Sequence, residues 1–239
     1  MGEMKVFFWD LDHTLWDFKK NSREALREGY EAFDLRSLGV GEVGEYISAY
    51  ETANDWCWRE YREGRMEKSE LRGRRFEMAM EPWGLQNNAV LGEKLGQHYI
   101  DTSPYKTNLF EGSIEVLTAL KEAGFRMVIL TNGFEEVQHI KVEKSGLSDF
   151  FESVITSDAM GYKKPHPEAF RIALDLVGVE SSDVIMIGDN IEADIEGGKK
   201  AGLETVFFNP NSNKIEESFK SSVDHEVNSL VEILDIVLH

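Results

Sequence analysis

Asp10 and Asp12 stand two residues apart, directly after the apolar run Val6 Phe7 Phe8 Trp9. A parallel strand ending in two carboxylates presents both at the edge of an open α/β sheet, where such folds keep their ligand crevices. Two acids so spaced can divide a substitution between them: one attacks a phosphorus or carbon centre, and the other carries a proton to the departing oxygen. Asp-x-Asp alone is also a common solvated turn, so the weight falls on the rest of the chain, where three further strand-like runs end in polar residues. Residues 126–130 stop at Thr131 Asn132 Gly133; residues 153–156 lead through a loop to Lys163 Lys164 Pro165; residues 184–187 end at Gly188 Asp189 Asn190, with Asp194 five residues after Asp189. Singly, Thr131 reads as a helix cap, Lys164 as a solvated loop lysine and Asp189 as a capping residue. In series at strand ends they bring a hydroxyl, a lysine and four aspartates to one crevice.

Those carboxylates repel one another unless a hard divalent cation lies among them, so the set asks for Mg²⁺. The whole chain carries the same sign, 44 acidic against 26 basic residues and a net charge of −18. Such a balance disfavours a nucleic-acid polymer or an anionic membrane surface as partner. Cys57 is the only cysteine, so no intrachain disulfide forms and a reducing compartment fits. The stretch Met1 Gly2 Glu3 Met4 Lys5 lacks the apolar segment of a signal peptide, and no apolar run reaches bilayer length. The expectation is a cytoplasmic protein, monomeric or weakly homodimeric. His13, beside Asp12, reads as a packing or tuning residue and His166, between two prolines, as structural. His98, His139, His225 and His239 do not cluster with Cys57 as zinc ligands do.

From residue 108 onward strand patterns alternate with helices, expected over 111–123, 134–145, 168–176 and 191–201. Residues 20–107 carry no strand pattern; their spacing predicts helices over 22–33, 43–61, 69–80 and 88–100, with Ser22 as an N-cap and Ser69, Arg72, Phe76 and Met80 along one face. The fold class is therefore α/β, a doubly wound parallel sheet built from residues 1–19 and 108–239, with an all-helical insert, 20–107, after the first strand. Residues 209–222 read as a surface loop with one short helix. Gly39 Val40 Gly41 Glu42 Val43 Gly44 matches the dinucleotide-binding fingerprint, but that motif works only between a buried strand and its helix. Here it falls inside the helical insert and reads as a loop.

Taken in order, Asp10-x-Asp12-x-Thr14, Thr131, Lys164 with Pro165, and Gly188 Asp189 followed by Asp194 resemble the four motifs of the haloacid dehalogenase superfamily, over residues 9–202. The resemblance implies a Rossmann-like core with a helical cap, Mg²⁺ as cofactor and hydrolysis through an aspartyl phosphate. It casts Asp10 as nucleophile and Asp12 as general acid, then base, with Thr131 and Lys164 completing the catalytic set. Asp10, Leu11, Asp12, Thr131, Asn132 and Lys164 then surround the phosphoryl group. Asp10, Asp12 through its carbonyl, Asp189 and Asp194 hold the metal, the last directly or through water; Thr14 orders the turn. Dehalogenases of this fold carry no acid at the position of Asp12. A phosphomutase places a histidine on the first cap helix, and residues 22–33 contain none. A non-catalytic metabolite-binding module has no need of every motif carboxylate.

Residues 54–65, with Leu71, Arg75, Phe76, Gln138 and residues 145–147, further resemble the noncanonical pyrimidine 5′-nucleotidases of that superfamily. This implies a nucleoside monophosphate as substrate, with small sugar phosphates and phosphoglycolate as alternatives. Trp58, Tyr61 and Arg62 become candidate specificity residues, the rings stacking on a base and the arginine offsetting the repulsion between an acidic protein and an anion. Against this stands plain packing, since Trp56, Trp58 and Tyr61 form the kind of aromatic stripe that fills a helical interior.

Overall fold

The computed structural model describes residues 5–85 and 88–238; Met1 to Met4, Gln86, Asn87 and His239 lie outside the described residues, and with them most of the N-terminal segment that lacks signal-peptide character. Contacts divide the chain into two units, Met1–Phe18 with Thr107–His239, and Lys19–Lys106. In chain order, β1 (Val6–Trp9) is followed by α1 (Phe18–Ala32), α2 (Val43–Arg62), α3 (Lys68–Ala79) and α4 (Ala89–Thr102). Then come α5 (Ser113–Glu122), β2 (Arg126–Thr131), α6 (Glu135–Lys144), β3 (Ser153–Thr156), α7 (Ser157–Met160), α8 (Pro167–Val177) and β4 (Val184–Gly188). A π-helical turn, Ile191–Glu196, runs into α9 (Gly197–Lys200), and β5 (Glu204–Phe208), β6 (His225–Val227) and α10 (Ile233–Val237) complete the chain.

Among the described residues the first unit holds a six-stranded sheet in the order β3-β2-β1-β4-β5-β6, parallel throughout. Parallel sheets are covered on both faces, so their strands read as apolar runs rather than alternations. β1 does so: Phe7 and Trp9 join Met127, Ile129, Ile185, Ile187 and Val206 under Val116, Leu117 and Leu120 of α5, while Val6 and Phe8 join Val128, Leu130 and Met186 under Ala169, Phe170 and Ala173 of α8. From β1 the chain builds outward to β2 and β3, then returns to the other flank as β4. The reversal opens a crevice beyond the C-terminal ends of β1 and β4. Register places Trp9 level with Ile129 and Ile187, so Asp10 leaves the sheet level with Leu130 and Gly188.

The second unit is helical, its core formed by Leu26, Tyr46, Tyr50, Phe76, Leu95 and Tyr99 with their neighbours. The glycine-rich stretch at 39–44 has no strand before it. It joins α1 to α2, Gly39 has a positive φ of 91°, and a side chain at Gly41 would collide with the Trp83 indole and the Glu45 carboxylate. Those glycines serve local packing.

Several elements differ from expectation. The sequence pattern predicts four strands, and the sheet has two more, β5 and β6. β5 follows Gly202 as Thr205 Val206 Phe207 Phe208, a β-branched and aromatic run that is a fair strand signal, whereas β6 has three residues, too few for any period. Ser22 is not an N-cap: α1 begins at Phe18, nothing between Phe18 and Asn21 breaks a helix, and Ser22 is a buried interior residue. The helix expected over 191–201 opens as a π-helical turn, a form that clusters at functional sites.

Phe8 is fully buried at the centre of the sheet. Phe8→Ala should therefore lower unfolding free energy by about 3–5 kcal/mol in urea titrations; a loss under about 1 kcal/mol would contradict a close-packed face between β1 and α8.

Candidate active site

Asp10 follows β1 with its backbone N–H bonded to the Ile187 carbonyl at 2.8 Å, which ties the head of the crevice to β4. Lys164 reaches it from the loop after β3. The Lys164 Nζ donates to Asp10 Oδ1 at 2.8 Å and to the Leu130 carbonyl at 2.5 Å, and pairs with Asp194 Oδ1 at 2.6 Å. Asp189 follows β4, and Thr14 Oγ1 donates to its Oδ1 at 3.4 Å. Carboxylate oxygens of Asp10, Asp189 and Asp194 all lie within 4.8 Å of one another. Gly188 is what lets Asp194 in, because a Cβ there would collide with the Asp194 carboxylate, whose Oδ2 accepts from the Asn190 N–H at 3.1 Å.

When all three are ionised, the carboxylates around this one ammonium leave two negative charges over. Burial raises the Asp10 carboxyl, Lys164 draws it back, Asp194 and Asp12 push it up again, and it settles at about 7. Asp189 is pushed well above the ordinary carboxylate range by burial and by Asp10 and Asp194. Lys164, although burial disfavours its charge, is held above its usual value by Asp10 and Asp194. A donor set of hard oxygens with a surplus of two negative charges matches a hard divalent cation, and Mg²⁺ fits it. Asp10, Asp189 and Asp194 are the side chains that would hold it.

Thr131 ends β2. Its Oγ1 accepts from the Gly133 N–H at 3.0 Å and from Gln138 Nε2 at 2.7 Å. The Asn132 side chain is committed elsewhere: Oδ1 accepts from the Lys164 N–H and Nδ2 donates to the Lys164 carbonyl, both at 2.8 Å. This two-point bond holds the Lys164 backbone, so the Asn132 side-chain amide is not free for a phosphoryl oxygen. Asp12 stands apart from the three-carboxylate cluster. Lys141 Nζ donates to its Oδ1 at 2.7 Å and its Oδ2 at 2.9 Å, and Gln138 Nε2 donates to Oδ2 at 2.9 Å.

Lys141 and Gln138 are the site residues to which the sequence motifs assign no catalytic part. Both face inward from α6 with Val142, at spacings of three and four, but with two of the three polar that spacing did not mark a buried face in the sequence. His13 has a positive φ of 68° and stacks on Phe18 at 4.7 Å, and His166 caps α8 by accepting from the Glu168 N–H. Among the described residues no His or Cys joins the acidic cluster; His239 lies outside them. Burial pushes the Cys57 thiol up to about 11, so it stays protonated.

In the helical unit, Trp58 meets Tyr61 edge to face with ring centroids 5.6 Å apart, and Tyr61 is buried. Arg59 and Arg62 are exposed, as is Trp56. Arg65 is paired with Glu60 and Glu63, so its charge is spent locally.

The family model for haloacid dehalogenase-like hydrolases matches residues 4–202. A pyrimidine 5′-nucleotidase of Streptococcus pneumoniae is 28% identical over 97% of this chain and 94% of its own length. A glyceraldehyde 3-phosphate phosphatase of Pyrococcus abyssi is 32% identical over 86% and 81%. The magnesium-bound crystal structure of the HAD-hydrolase YfnB from Bacillus subtilis superposes with a TM-score of 0.87, at 27% identity over 98% of both chains.

A carboxyl that titrates near 7 when folded and near 4 when unfolded binds protons on folding between those values, so its stabilising effect is present below about pH 4 and is lost as the pH rises to about 7. A divalent cation competes for the same site and gains as protons leave. In chelator, the melting temperature should fall between about pH 5 and about pH 7.5, and the rise produced by Mg²⁺ should grow over that window. Asp10→Asn should flatten both trends; a Mg²⁺ effect equal at both ends of the window argues against this cluster as the metal site.

Proposed function

We propose, for a chain that belongs to the haloacid dehalogenase-like hydrolase family, that its reaction is phosphomonoester hydrolysis and its substrate a pyrimidine nucleoside 5′-monophosphate. The observation that carries the reaction is the pair Asp10 and Asp12 in two different environments. Asp10 is buried against Lys164 and two more aspartates, and Asp12 is held apart by Lys141 and Gln138. Displacing halide from carbon needs one carboxylate. Displacing an alkoxide from phosphorus needs a second acid to protonate it, and Asp12 supplies one.

On this reading an Asp10 oxygen attacks phosphorus; an O–P bond forms to Asp10 as the P–O ester bond breaks, and the departing oxygen takes a proton from Asp12. Water then attacks the aspartyl phosphate, giving its proton to Asp12 and releasing inorganic phosphate with Asp10 regenerated. Lys164 neutralises charge on Asp10 and the phosphoryl oxygens, and Thr131, with the backbone N–H groups of Leu11, Asp12 and Asn132, supplies donors to those oxygens. A bound Mg²⁺ adds electrostatic stabilisation of the phosphoryl group and suppresses the repulsion between it and the aspartates.

Support for the nucleotide is the likeness to the streptococcal nucleotidase over nearly the whole chain, together with exposed Trp56 and Arg62 and the partly buried Trp58 in α2. The likeness to the glyceraldehyde 3-phosphate phosphatase favours a second reading, a small sugar phosphate.

Asp10→Asn should keep the fold by circular dichroism and reduce turnover below about 1% of wild type, since losing a nucleophile removes several kcal/mol of barrier lowering. Across a panel of pyrimidine and purine monophosphates, triose and pentose phosphates and phosphoglycolate, the highest kcat/KM should fall on a pyrimidine monophosphate; a triose phosphate in that place selects the second reading. Trp58→Ala and Arg62→Ala should reduce kcat/KM for that nucleotide at least about 10-fold while leaving p-nitrophenyl phosphate nearly unchanged. Equal losses on both with a lowered melting temperature would assign Trp58 to packing.

A further inference from the structure

α6 carries two buried polar side chains one turn apart, Gln138 and Lys141, and both end on Asp12. A buried lysine needs a partner, and here the partner is the second motif acid, 129 positions earlier in the chain. The Lys141 Nζ reaches both Asp12 oxygens, at 2.7 and 2.9 Å, and sits 4.3 Å from the centroid of the Trp16 ring. The same short turn presents the carboxylate and the ring: Asp12 bridges to Trp16, with the His13 N–H donating to the Trp16 carbonyl at 3.0 Å. Charge-assisted bonds on one side and an aromatic face on the other leave the ammonium little freedom.

Gln138 fixes a second group. A carboxylate only accepts, so the nitrogen of the Gln138 amide must face Asp12, and its other hydrogen meets Thr131 Oγ1 at 2.7 Å. Thr131 Oγ1 also accepts from the Gly133 N–H. Both lone pairs are then used, and the hydroxyl proton can only be donated outward. Gly133 is part of the same device, because a Cβ there would overlap the Gln138 amide. The Gln138 Oε1 has no partner among the described residues, so the amide is not arranged to satisfy itself.

We propose that Lys141 and Gln138 are positioning residues for phosphoryl transfer. Lys141 fixes the Asp12 carboxyl that hands a proton to the leaving oxygen, and Gln138 joins Asp12 to Thr131 and leaves the Thr131 hydroxyl only a donor's role toward a phosphoryl oxygen. This rests on the phosphatase reading, whose own failure is separate: wild-type protein that cleaves no phosphomonoester overturns that reading before any variant is made.

The test is a leaving-group series, p-nitrophenyl, phenyl and benzyl phosphate, in which the departing oxygen becomes steadily more basic and more dependent on a proton donor. Lys141→Met, which keeps the volume and removes the donors, should lower kcat/KM for benzyl phosphate about 100-fold and for p-nitrophenyl phosphate less than about 5-fold. In a double-mutant cycle, Lys141→Met added to Asp12→Ala should cost under about 2-fold more, because the lysine acts through that acid. Lys141→Arg should recover most of the loss. Gln138→Met should raise KM for all three esters through the loosened Thr131 hydroxyl. A Lys141→Met loss that is absent, equal across the series, or multiplied onto Asp12→Ala overturns the proposal. Should Lys141→Met not fold, Lys141→Gln serves instead: a loss that steepens with leaving-group basicity supports the proposal, and a flat one overturns it.

Discussion

Lys164 sits with its ammonium 2.8 Å from Asp10 and 2.6 Å from Asp194, with Asp189 completing a ring of carboxylates, and most of the first unit is arranged so that this crowding can exist. Like charges in a low-dielectric setting are costly, and one cation does not neutralise three anions. The sheet meets that cost with rigidity. β1 is paired on both sides and buried on both faces, so Asp10 and the Asp189 that follows β4 cannot move apart to relieve their repulsion. Lys164 is held by its backbone through Asn132 and by its tip through the Leu130 carbonyl. When all three carboxyls are ionised, the two negative charges left over would become binding energy for a divalent cation.

The same geometry separates the two acids of the first motif. Asp10 shares its surroundings with other carboxylates and is raised to about 7, while Asp12, two residues on, turns toward an ammonium and an amide from α6. Acid and nucleophile roles diverge when neighbouring groups are given different environments. Here the difference in surroundings comes from the turn at 12–16, which departs from the strand direction with His13 in a left-handed conformation and so aims the two acids at different partners. A strict strand would have pointed residues 10 and 12 the same way.

The legible part of the sequence is explained by the same arrangement. Acids, a hydroxyl and a lysine at the ends of apolar runs are visible because strand periodicity stops where they begin, and the parallel sheet with its helical insert emerges from where that alternation appears and fails. The helix α6 was foreseen over 134–145, but which side chains it turns inward was opaque for the opposite reason. Its inward positions are taken by Gln138 and Lys141, while Val137 and Ile140 are partly exposed, so the helix has almost no apolar face to read. A polar residue facing inward declares itself only through its partner, and these partners lie 126 and 129 positions away. The use of the Asn132 side chain was hidden likewise, since it is spent on the backbone of Lys164. β6 was too short to register, and Ser22 misled because a cap residue is informative only if the helix has not already begun.

Net charge sharpens the question of how this chain takes an anion at all. At −18 its long-range field opposes a phosphate monoester, but exposed charges are screened beyond about 8–10 Å at ordinary ionic strength. Binding must come from contacts shorter than that. On the proposed reading these are, in the core, Lys164, the Thr131 hydroxyl and backbone N–H groups, and a divalent cation would offset the charge on the aspartates. A small ester with one phosphoryl group would satisfy these core donors while presenting little charge to the rest of the surface. A polyanion would have the same single group to offer the crevice and many more charges for the surface to repel, so on the proposed reading the acidity that hinders binding in general would also favour small substrates.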